Sequence, residues 1–345
     1  MYKGITHSKL LLSLLTVLIS TAACASNDTH KKSSIAQQAN PAIYDTFIDE
    51  MVEKHQFKRQ KLISLLSQAN KKESILKAMS SPAEKRLTWH SYRKIFLKKG
   101  RIQGGVKFWN KHAELLEKLS KQYQVPAEII VAIIGVETRY GANTGSYRVL
   151  DSLTTLGFHF PKRAKFFKSE LEQFLLLCRE EGLDPLLPKG SYAGAMGQSQ
   201  FISSSYRHYA IDGNNDGKRD LWAEPADIIA SIANYFAKHG WDSNPLITQK
   251  TRVTGSGYKT LLNKKLKPAH SLRDLQKKQV SIPSSVDLNT SVKLLELQQK
   301  DSKEYWLAFH NFYVITRYNH SHLYAMAVFQ LSQEIKSAHK ASVKK

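Results

Sequence analysis

The fold of this chain depends first on an apolar run near its middle. The run extends from Ile129 to Val136 and is apolar on every side of a helix, which predicts burial against protein on all faces. Pro126 suits the first turn of a helix and Gly141 suits a left-handed end, so we predict one helix over 125–141. Such a helix has to be surrounded by other parts of the chain.

Glu137 follows the apolar run and is the candidate catalytic residue. A carboxyl group beside an apolar surface that excludes water has a raised pKa. A carboxyl group that stays protonated near neutral pH can donate its proton to a leaving group. The alternative is a structural glutamate that forms an ion pair with Arg139 or another neighbour, because ion pairs also perturb pKa values. Spacing alone leaves both interpretations open.

The charge of the chain predicts an anionic partner. Its 345 residues include 51 Lys and Arg against 29 Asp and Glu, which gives a formal net charge of +22. This excess attracts polyanions, and nucleic acid, anionic lipid and an acidic cell-wall glycan all qualify. A hydrophobic content of 42% is sufficient for a sizeable core and excludes a disordered protein.

The N-terminus has the pattern of an export signal. Basic residues precede an apolar run at 10–19, which is short for a membrane span, and small residues then lead to Cys24. Cys24 resembles the lipidated first residue of bacterial lipoproteins, although Thr21 stands where Leu is usual. We therefore expect a signal peptide over 1–23, a flexible tether over 24–40, and a lipid anchor at the periplasmic face of the outer membrane. The alternative is cleavage without a lipid and a soluble periplasmic form.

Composition and periodicity divide the remaining chain into four parts. We predict an N-terminal α domain over 41–120, a core over 121–245, a small α/β domain over 246–315, and a C-terminal segment over 316–340. The α/β domain is indicated by short β-prone stretches that alternate with Gly and Pro. Apolar residues at helical spacing, with few strand signals between them, indicate that the core is helical.

Cys178 is the one cysteine besides Cys24. It cannot form an internal disulfide if Cys24 is lipidated, and its apolar neighbours predict a buried side chain. A catalytic thiol is the alternative, although no polar activating residue stands beside it.

Polar clusters at three places accompany Glu137. The segment 189–201 combines Gly and small residues, which permit close approach of a ligand, with Ser, Gln and aromatic residues that suit sugar recognition. The segment 316–321 is dense in hydrogen-bond donors, and 160–163 places a basic pair after an aromatic residue and a proline. Each of these segments alone could also be an ordinary surface loop or turn.

Together these segments resemble the lytic murein transglycosylases of the B type, periplasmic enzymes that cut the glycan strands of peptidoglycan. The motifs that carry the resemblance occur in the family's order and approximate spacing, at 135–138, 193–197, 200–201, 233–236 and 317–320. The resemblance implies a mainly α (α+β) fold. It consists of a lysozyme-like catalytic core, an α-helical domain built from both chain ends and a small β-containing domain.

The resemblance also implies roles for single residues. Glu137 corresponds to the family's one catalytic carboxyl group. Lys162 and Arg163 correspond to a basic pair near the peptide-bearing sugar, with Lys162 in place of an arginine that would grip a carboxylate with two bonds. The positions that correspond to the glycan groove are Tyr92, Ser191, Gln200, Phe201, Tyr235, Tyr318, Asn319 and Tyr324.

A single carboxyl group distinguishes this mechanism from that of most glycosidases, which need two. The resemblance implies that Glu137 protonates the β-1,4 glycosidic oxygen between N-acetylmuramic acid and N-acetylglucosamine while the sugar's N-acetyl group stabilises the positive charge. The carboxylate then deprotonates the C6 hydroxyl, which closes on C1 and forms a 1,6-anhydro end. The alternatives are a lysozyme-type hydrolase and a non-catalytic peptidoglycan-binding lipoprotein. Nucleic acid is not an expected partner because of the export signal, and no organic cofactor is expected.

The segment 212–220 matches the first nine positions of an EF-hand calcium loop. The twelfth position is Ala223 instead of Glu, and the family completes its site with a downstream aspartate, for which Asp227 is the match and Glu224 the second candidate. The sequence therefore predicts a structural Ca²⁺ in a loop over 212–227, and the alternative is a turn without metal. The predicted ligands are Asp212, Asn214, Asp216, the carbonyl of Lys218, and Asp227.

Overall fold

The computed structural model describes residues 41–80 and 87–343. The predicted signal peptide, tether and lipidated Cys24 lie outside the described residues. Helices dominate the described chain and the sheets are small, which confirms the prediction of a mainly α protein. No helix in these two ranges is long and apolar enough to cross a membrane.

Most helices precede the longer strands in chain order. The helices are α1 (Asp45–His55), α2 (Arg59–Leu66), α3 (Glu73–Ser80), α4 (Trp89–Phe96), α5 (Lys99–Lys111), α6 (Ala113–Tyr123), α7 (Ala127–Thr138), α8 (Val149–His159), α9 (Ala164–Glu180), α10 (Ser203–Tyr209), α11 (Pro225–Lys238), α12 (Leu272–Lys277), α13 (His310–Tyr318) and α14 (His322–Val343). The strands are β1 (Tyr147–Arg148), β2 (Lys189–Gly190), β3 (Thr248–Thr251), β4 (His270–Ser271), β5 (Ser291–Gln298) and β6 (Lys303–Ala308).

The chain forms two compact units, and each is assembled from separate segments. Among the described residues, the first unit contains 87–136 and 232–343, and the second contains 41–80 and 137–231. The divisions fall inside α7 and inside α11. The predicted domain boundaries at 120, 245 and 315 stay predictions.

The first unit combines helices with an antiparallel sheet. The sheet has the strand order β3-β6-β5-β4, and Leu294 of β5 lies opposite Leu307 of β6. One face of this sheet covers an apolar cluster, to which α12 contributes Leu272 and Leu275. In the helical part of the unit, α14 packs against α4, α5 and α13.

The second unit is built around α8 and α9, which pack against each other. Asp151 of α8 is buried, and a buried carboxylate needs partners to offset the loss of water. It accepts hydrogen bonds from the side chain of Arg148 at 2.7 Å and from the N–H of Asn70 at 2.9 Å. Asp151 therefore holds the segment between α2 and α3 against α8.

The apolar helix α7 is buried on all sides, as the sequence predicts. Every residue over 129–136 is buried, and none of the apolar side chains is more than 4% exposed. The helix is shorter than the predicted 125–141. Pro126 lies outside it and contributes only its carbonyl, which accepts the N–H of Ile129 at 2.9 Å. Three consecutive left-handed residues after Thr138, from Arg139 to Gly141, end the helix.

Candidate active site

Glu137 lies in the last turn of α7 and is half-buried. It is the first residue of the second unit after the division inside this helix. The apolar residues before it direct α7 into the core, and the left-handed residues after it turn the chain away. The predicted partner Arg139 is exposed and has a φ of +52°.

The turn after Glu137 is held by Thr138, which is fully buried. Its hydroxyl accepts the N–H of Gly141 at 3.1 Å and donates to the carbonyl of Gln198 at 3.3 Å. Its own carbonyl accepts the N–H of Asn143 at 2.9 Å. The residue beside the candidate acid is therefore fixed by both its side chain and its backbone.

Ser191 and Gln200 of the segment 189–201 bond to backbone groups nearby. The Ser191 hydroxyl is buried and accepts the N–H of Ala195 at 3.1 Å. The Gln200 amide donates to the carbonyls of Gly197 at 2.9 Å and Thr144 at 3.1 Å. These bonds shape the segment and connect it to the chain beyond the turn after Glu137. Glycan contacts of these two residues stay a prediction.

Phe201 is buried in the same segment. Its backbone exchanges two hydrogen bonds with Met196, at 2.8 and 3.1 Å, so that 196–201 forms a closed loop. Its assignment to the glycan groove also stays a prediction.

Lys162 and Arg163 form a short 3-10 turn, Pro161–Arg163, and differ in their surroundings. Lys162 is exposed, whereas the Arg163 guanidinium lies 4.2 Å from the ring centroid of Phe166 and is half-buried. Burial lowers the pKa of Arg163, and the charge of Glu170 opposes that shift. Within the described residues, Nη1 of Arg163 is buried and has no hydrogen-bond partner, which is uncommon for a buried donor.

The predicted groove residues of the first unit include a compact aromatic group. The Tyr235 hydroxyl donates to the carbonyl of Arg317 at 2.6 Å, and its ring centroid lies 4.8 Å from that of Tyr318. Asn319 is buried, and its Oδ1 has no hydrogen-bond partner among the described residues. The structure therefore brings Tyr235, Tyr318 and Asn319 into one neighbourhood.

Tyr92 and Tyr324 also belong to the first unit, and both are completely buried. Tyr92 of α4 packs against Phe96, with ring centroids 5.2 Å apart. Both tyrosines are therefore part of the packed interior, and their assignment to the glycan groove stays a prediction.

His239 belongs to the aromatic group of the first unit but is absent from the sequence-based assignment. Its ring stacks on Tyr235 with 4.0 Å between centroids and 22° between planes. Burial lowers the pKa of His239, which favours the neutral ring. The spacing of four residues from Tyr235 is the sequence signal that could have indicated this contact.

The predicted calcium loop is folded around its carboxylates. Asp212 accepts the N–H groups of Gly217 at 2.8 Å and Asp216 at 3.2 Å. Asp227 is buried and accepts the N–H groups of Gly213 at 2.7 Å and Asp220 at 2.6 Å. Burial raises the pKa of Asp227, and the charge of Asp212 raises it further.

The donor set of this loop suits a hard cation, because its members offer carboxylate, amide and carbonyl oxygens. In the described part of the chain, no group of three or more His, Cys, Asp or Glu side chains is arranged to hold a metal ion. Each carboxylate oxygen that accepts one N–H retains a second lone pair, and an amide oxygen of Asn214 lies in the same loop. Glu224, the second candidate, accepts the N–H of Ala226 at 3.0 Å at the start of α11, so the choice between it and Asp227 stays a prediction.

Cys178 is buried on α9, as predicted from its apolar neighbours. Burial raises the pKa of its thiol to about 12. A thiol that stays protonated is a poor nucleophile, so the alternative of a catalytic cysteine has no support.

Comparisons with known proteins bear on the family of this chain. The family model of the transglycosylase SLT domain matches residues 39–333. The membrane-bound lytic murein transglycosylase B of Escherichia coli (strain K12) is 43% identical over 306 residues, which is 86% of this chain and 83% of that protein.

Solved structures give the same result. The soluble lytic transglycosylase SltB1 from Pseudomonas aeruginosa is 45% identical with a TM-score of 0.83, and the match covers 87% of this chain and 100% of that one. The Escherichia coli lytic transglycosylase Slt35 in complex with calcium is 42% identical with a TM-score of 0.80, over 90% of this chain and 99% of that one.

Proposed function

We infer the function of this protein from its family, because the chain belongs to the transglycosylases with an SLT domain. It is an enzyme, a peptidoglycan lytic transglycosylase, and its fold is the lysozyme-like fold of that family. The partner of the enzyme is therefore the peptidoglycan glycan strand. The net charge of +22 supports this assignment, since it favours binding to an anionic wall.

We propose that Glu137 is the catalytic acid and then the catalytic base. The observation that carries the proposal is its position, half-buried at the end of α7 and next to the fixed residue Thr138. Glu137 protonates the glycosidic oxygen after N-acetylmuramic acid, and its carboxylate then takes the proton of the C6 hydroxyl. The product ends in 1,6-anhydro-N-acetylmuramic acid, and no water is consumed.

The test is the variant Glu137→Gln, which keeps the shape of the side chain but lacks the transferable proton. We expect it to bind glycan strands and to lose turnover by at least roughly a hundredfold, as is typical for a missing general acid. Full activity in this variant would exclude Glu137 as the catalyst.

Mass analysis of the products that the wild-type enzyme releases from purified sacculi tests the chemistry. The anhydro product is lighter by one water than the product of a hydrolase. Mainly reducing ends would replace the lyase mechanism by that of a lysozyme-type hydrolase.

We also propose which residues bind the substrate. Lys162 and the unpaired donor of Arg163 suit carboxylates of the stem peptide, and Asn319 offers a buried amide oxygen to a sugar N–H or hydroxyl. The ring of Tyr318 is half-buried and suits contact with a sugar face. The remaining proposed groove residues are Tyr92, Ser191, Gln200, Phe201, Tyr235 and Tyr324.

We further propose a bound metal ion and a lipid anchor for this enzyme. A structural Ca²⁺ in the loop 212–227 is supported by the oxygen-rich donor set and by the calcium complex of Slt35. A lipid at Cys24, at the periplasmic face of the outer membrane, is supported by the pattern before it and by the membrane-bound relative of Escherichia coli. A soluble periplasmic form is the alternative, and a soluble relative is known.

A further inference from the structure

Gln198 links two parts of the second unit through three hydrogen bonds. Its carbonyl accepts the hydroxyl of Thr138 at 3.3 Å, and its N–H donates to the carbonyl of Leu221 at 2.7 Å. Its side-chain Nε2 donates to the carbonyl of Trp222 at 3.0 Å. One residue thus joins the turn after Glu137 to the segment 221–222.

The side chain of Gln198 also fills the inside of that turn. Gly141 has a φ of +85°, and a Cβ atom on it would lie 2.8 Å from Cδ and 2.9 Å from Oε1 of Gln198. Only glycine combines this backbone conformation with this close approach. A side chain at position 141 would therefore collide with the Gln198 amide unless one of the two moved.

The other end of the link is itself anchored. Trp222 donates its N–H to the carboxylate of Asp220 at 2.8 Å and its indole N–H to the carbonyl of Lys189 at 3.0 Å. The N–H of Asp220 in turn donates to the buried Asp227. Gln198 thus connects the turn after Glu137 to a segment that is held at several points.

We propose that Gln198 is a positioning residue for the reaction. It does not touch the reacting atoms but fixes Thr138 and Gly141, and through them the direction in which the adjacent Glu137 carboxyl group points. The inference rests on the proposed role of Glu137. A displacement of a catalytic group by about 1 Å can lower the rate by roughly a hundredfold, so a loose turn affects turnover strongly.

The first experiment compares Gln198→Met with the wild-type enzyme. Methionine is similar in length but makes no bond to Trp222 and lets the turn relax. We expect kcat to fall by about tenfold, which is less than the roughly hundredfold loss that a displacement of about 1 Å can cause. We expect KM to change less than twofold. Gln173→Met is the matched control, since Gln173 is a half-buried, hydrogen-bonded glutamine on α9 of the same unit, and its kcat should stay unchanged.

The second experiment tests the contact with Gly141 itself. Gly141→Ala introduces the colliding Cβ, and its effect on kcat is measured in the wild type and in Gln198→Ala, which removes the colliding amide. We expect a smaller loss in the Gln198→Ala background. If Gly141→Ala lowers kcat by the same factor in both backgrounds, the two residues act independently, and this result would overturn the inference.

The remaining outcomes are equally decisive. An unchanged kcat in Gln198→Met, or a fall in kcat that only follows a loss of folded protein in circular dichroism, would overturn the positioning role. An active Glu137→Gln variant, measured in the same series, would overturn both the proposed catalyst and the inference built on it. An inactive Glu137→Gln with a fully active Gln198→Met would overturn the inference alone.

Discussion

Gly197 and Gly182 have nearly the same backbone conformation in different surroundings. Their φ values are +66° and +65°, but a Cβ atom on Gly197 would lie 2.4 Å from the carbonyl oxygen of Leu221, whereas nothing lies within 4 Å of one on Gly182. We expect Gly182→Ala to lower the free energy of unfolding by about 1 kcal/mol, through the left-handed conformation alone. Gly197→Ala should cost about 2 to 4 kcal/mol, because the backbone of Leu221 has to move as well.

Urea unfolding of both variants measures this difference. Equal losses would show that the close packing of 197 against 221 does not contribute to stability.

The contrast between Glu137 and Gln198 shows what a sequence reveals about a single residue. Glu137 could be selected because an acid at the end of an apolar helix is uncommon and has a chemical use. Gln198 belongs to a segment whose polar residues were assigned to sugar recognition, yet its three bonds all go to groups of the protein. The residue type indicates that an amide can donate and accept, but its partners depend on segments that are far away in sequence.

The proposed Ca²⁺ in the loop 212–227 predicts how adding and removing calcium changes the stability of the protein. A ligand that binds only the native state raises the unfolding temperature by mass action. We expect added Ca²⁺ to raise the Tm of the protein and a chelator to reverse the change, because the cation would offset the charge that Asp212 places beside the buried Asp227. Asp212→Ala or Asp216→Ala should remove most of the increment.

Asp287→Ala is a control for this experiment, since it removes one acid from an exposed turn outside the loop. A melting curve that is identical with excess Ca²⁺ and with chelator would exclude the cation site while leaving the catalytic proposal intact.

Among the helices, α7 was the most predictable element. Its apolar run has no alternative to burial, and only the ends of the helix differ from the prediction. The sequence indicates an end at Gly141, but Arg139 and Tyr140 already adopt left-handed conformations before it. The small sheet was predicted only as a region. Strands β5 and β6 pair in a register that depends on Leu294 meeting Leu307 across the sheet, and that pairing is not encoded in either strand by itself.

The proposed lipid at Cys24 makes a testable statement about the position of the whole molecule in the cell. We expect Cys24→Ala to give a soluble or unprocessed protein, because the proposed lipid would be attached to this side chain. Growth with labelled palmitate followed by fractionation of wild type and variant measures this. Cys178→Ala is the matched control and should keep the label. An unlabelled wild-type chain would favour secretion without a lipid.

The composition of the whole chain predicted a sizeable core and an anionic partner but not the arrangement of its parts. Helical periodicity over 41–120 gives no indication that 41–80 and 87–136 belong to different compact units. The assignment depends on which apolar faces meet, such as α8 with α3 and α14 with α5. Those contacts join segments that are far apart in the sequence, and periodicity describes each segment only by itself.

The composite first unit has a consequence for the timing of folding during the proposed export. Glu128 near the start of α7 pairs with Lys336 of α14 at 2.6 Å, and these residues are 208 positions apart. Contacts between such distant segments form late, because the intervening chain must be available before the loop can close. Along the proposed export route, we expect α5 and α7 to stay sensitive to protease until α14 has crossed the inner membrane, which pulse-chase proteolysis of an arrested chain would reveal. A chain that lacks α14 would then remain incomplete, so on this route the wall would meet a folded first unit only after α14 has been delivered.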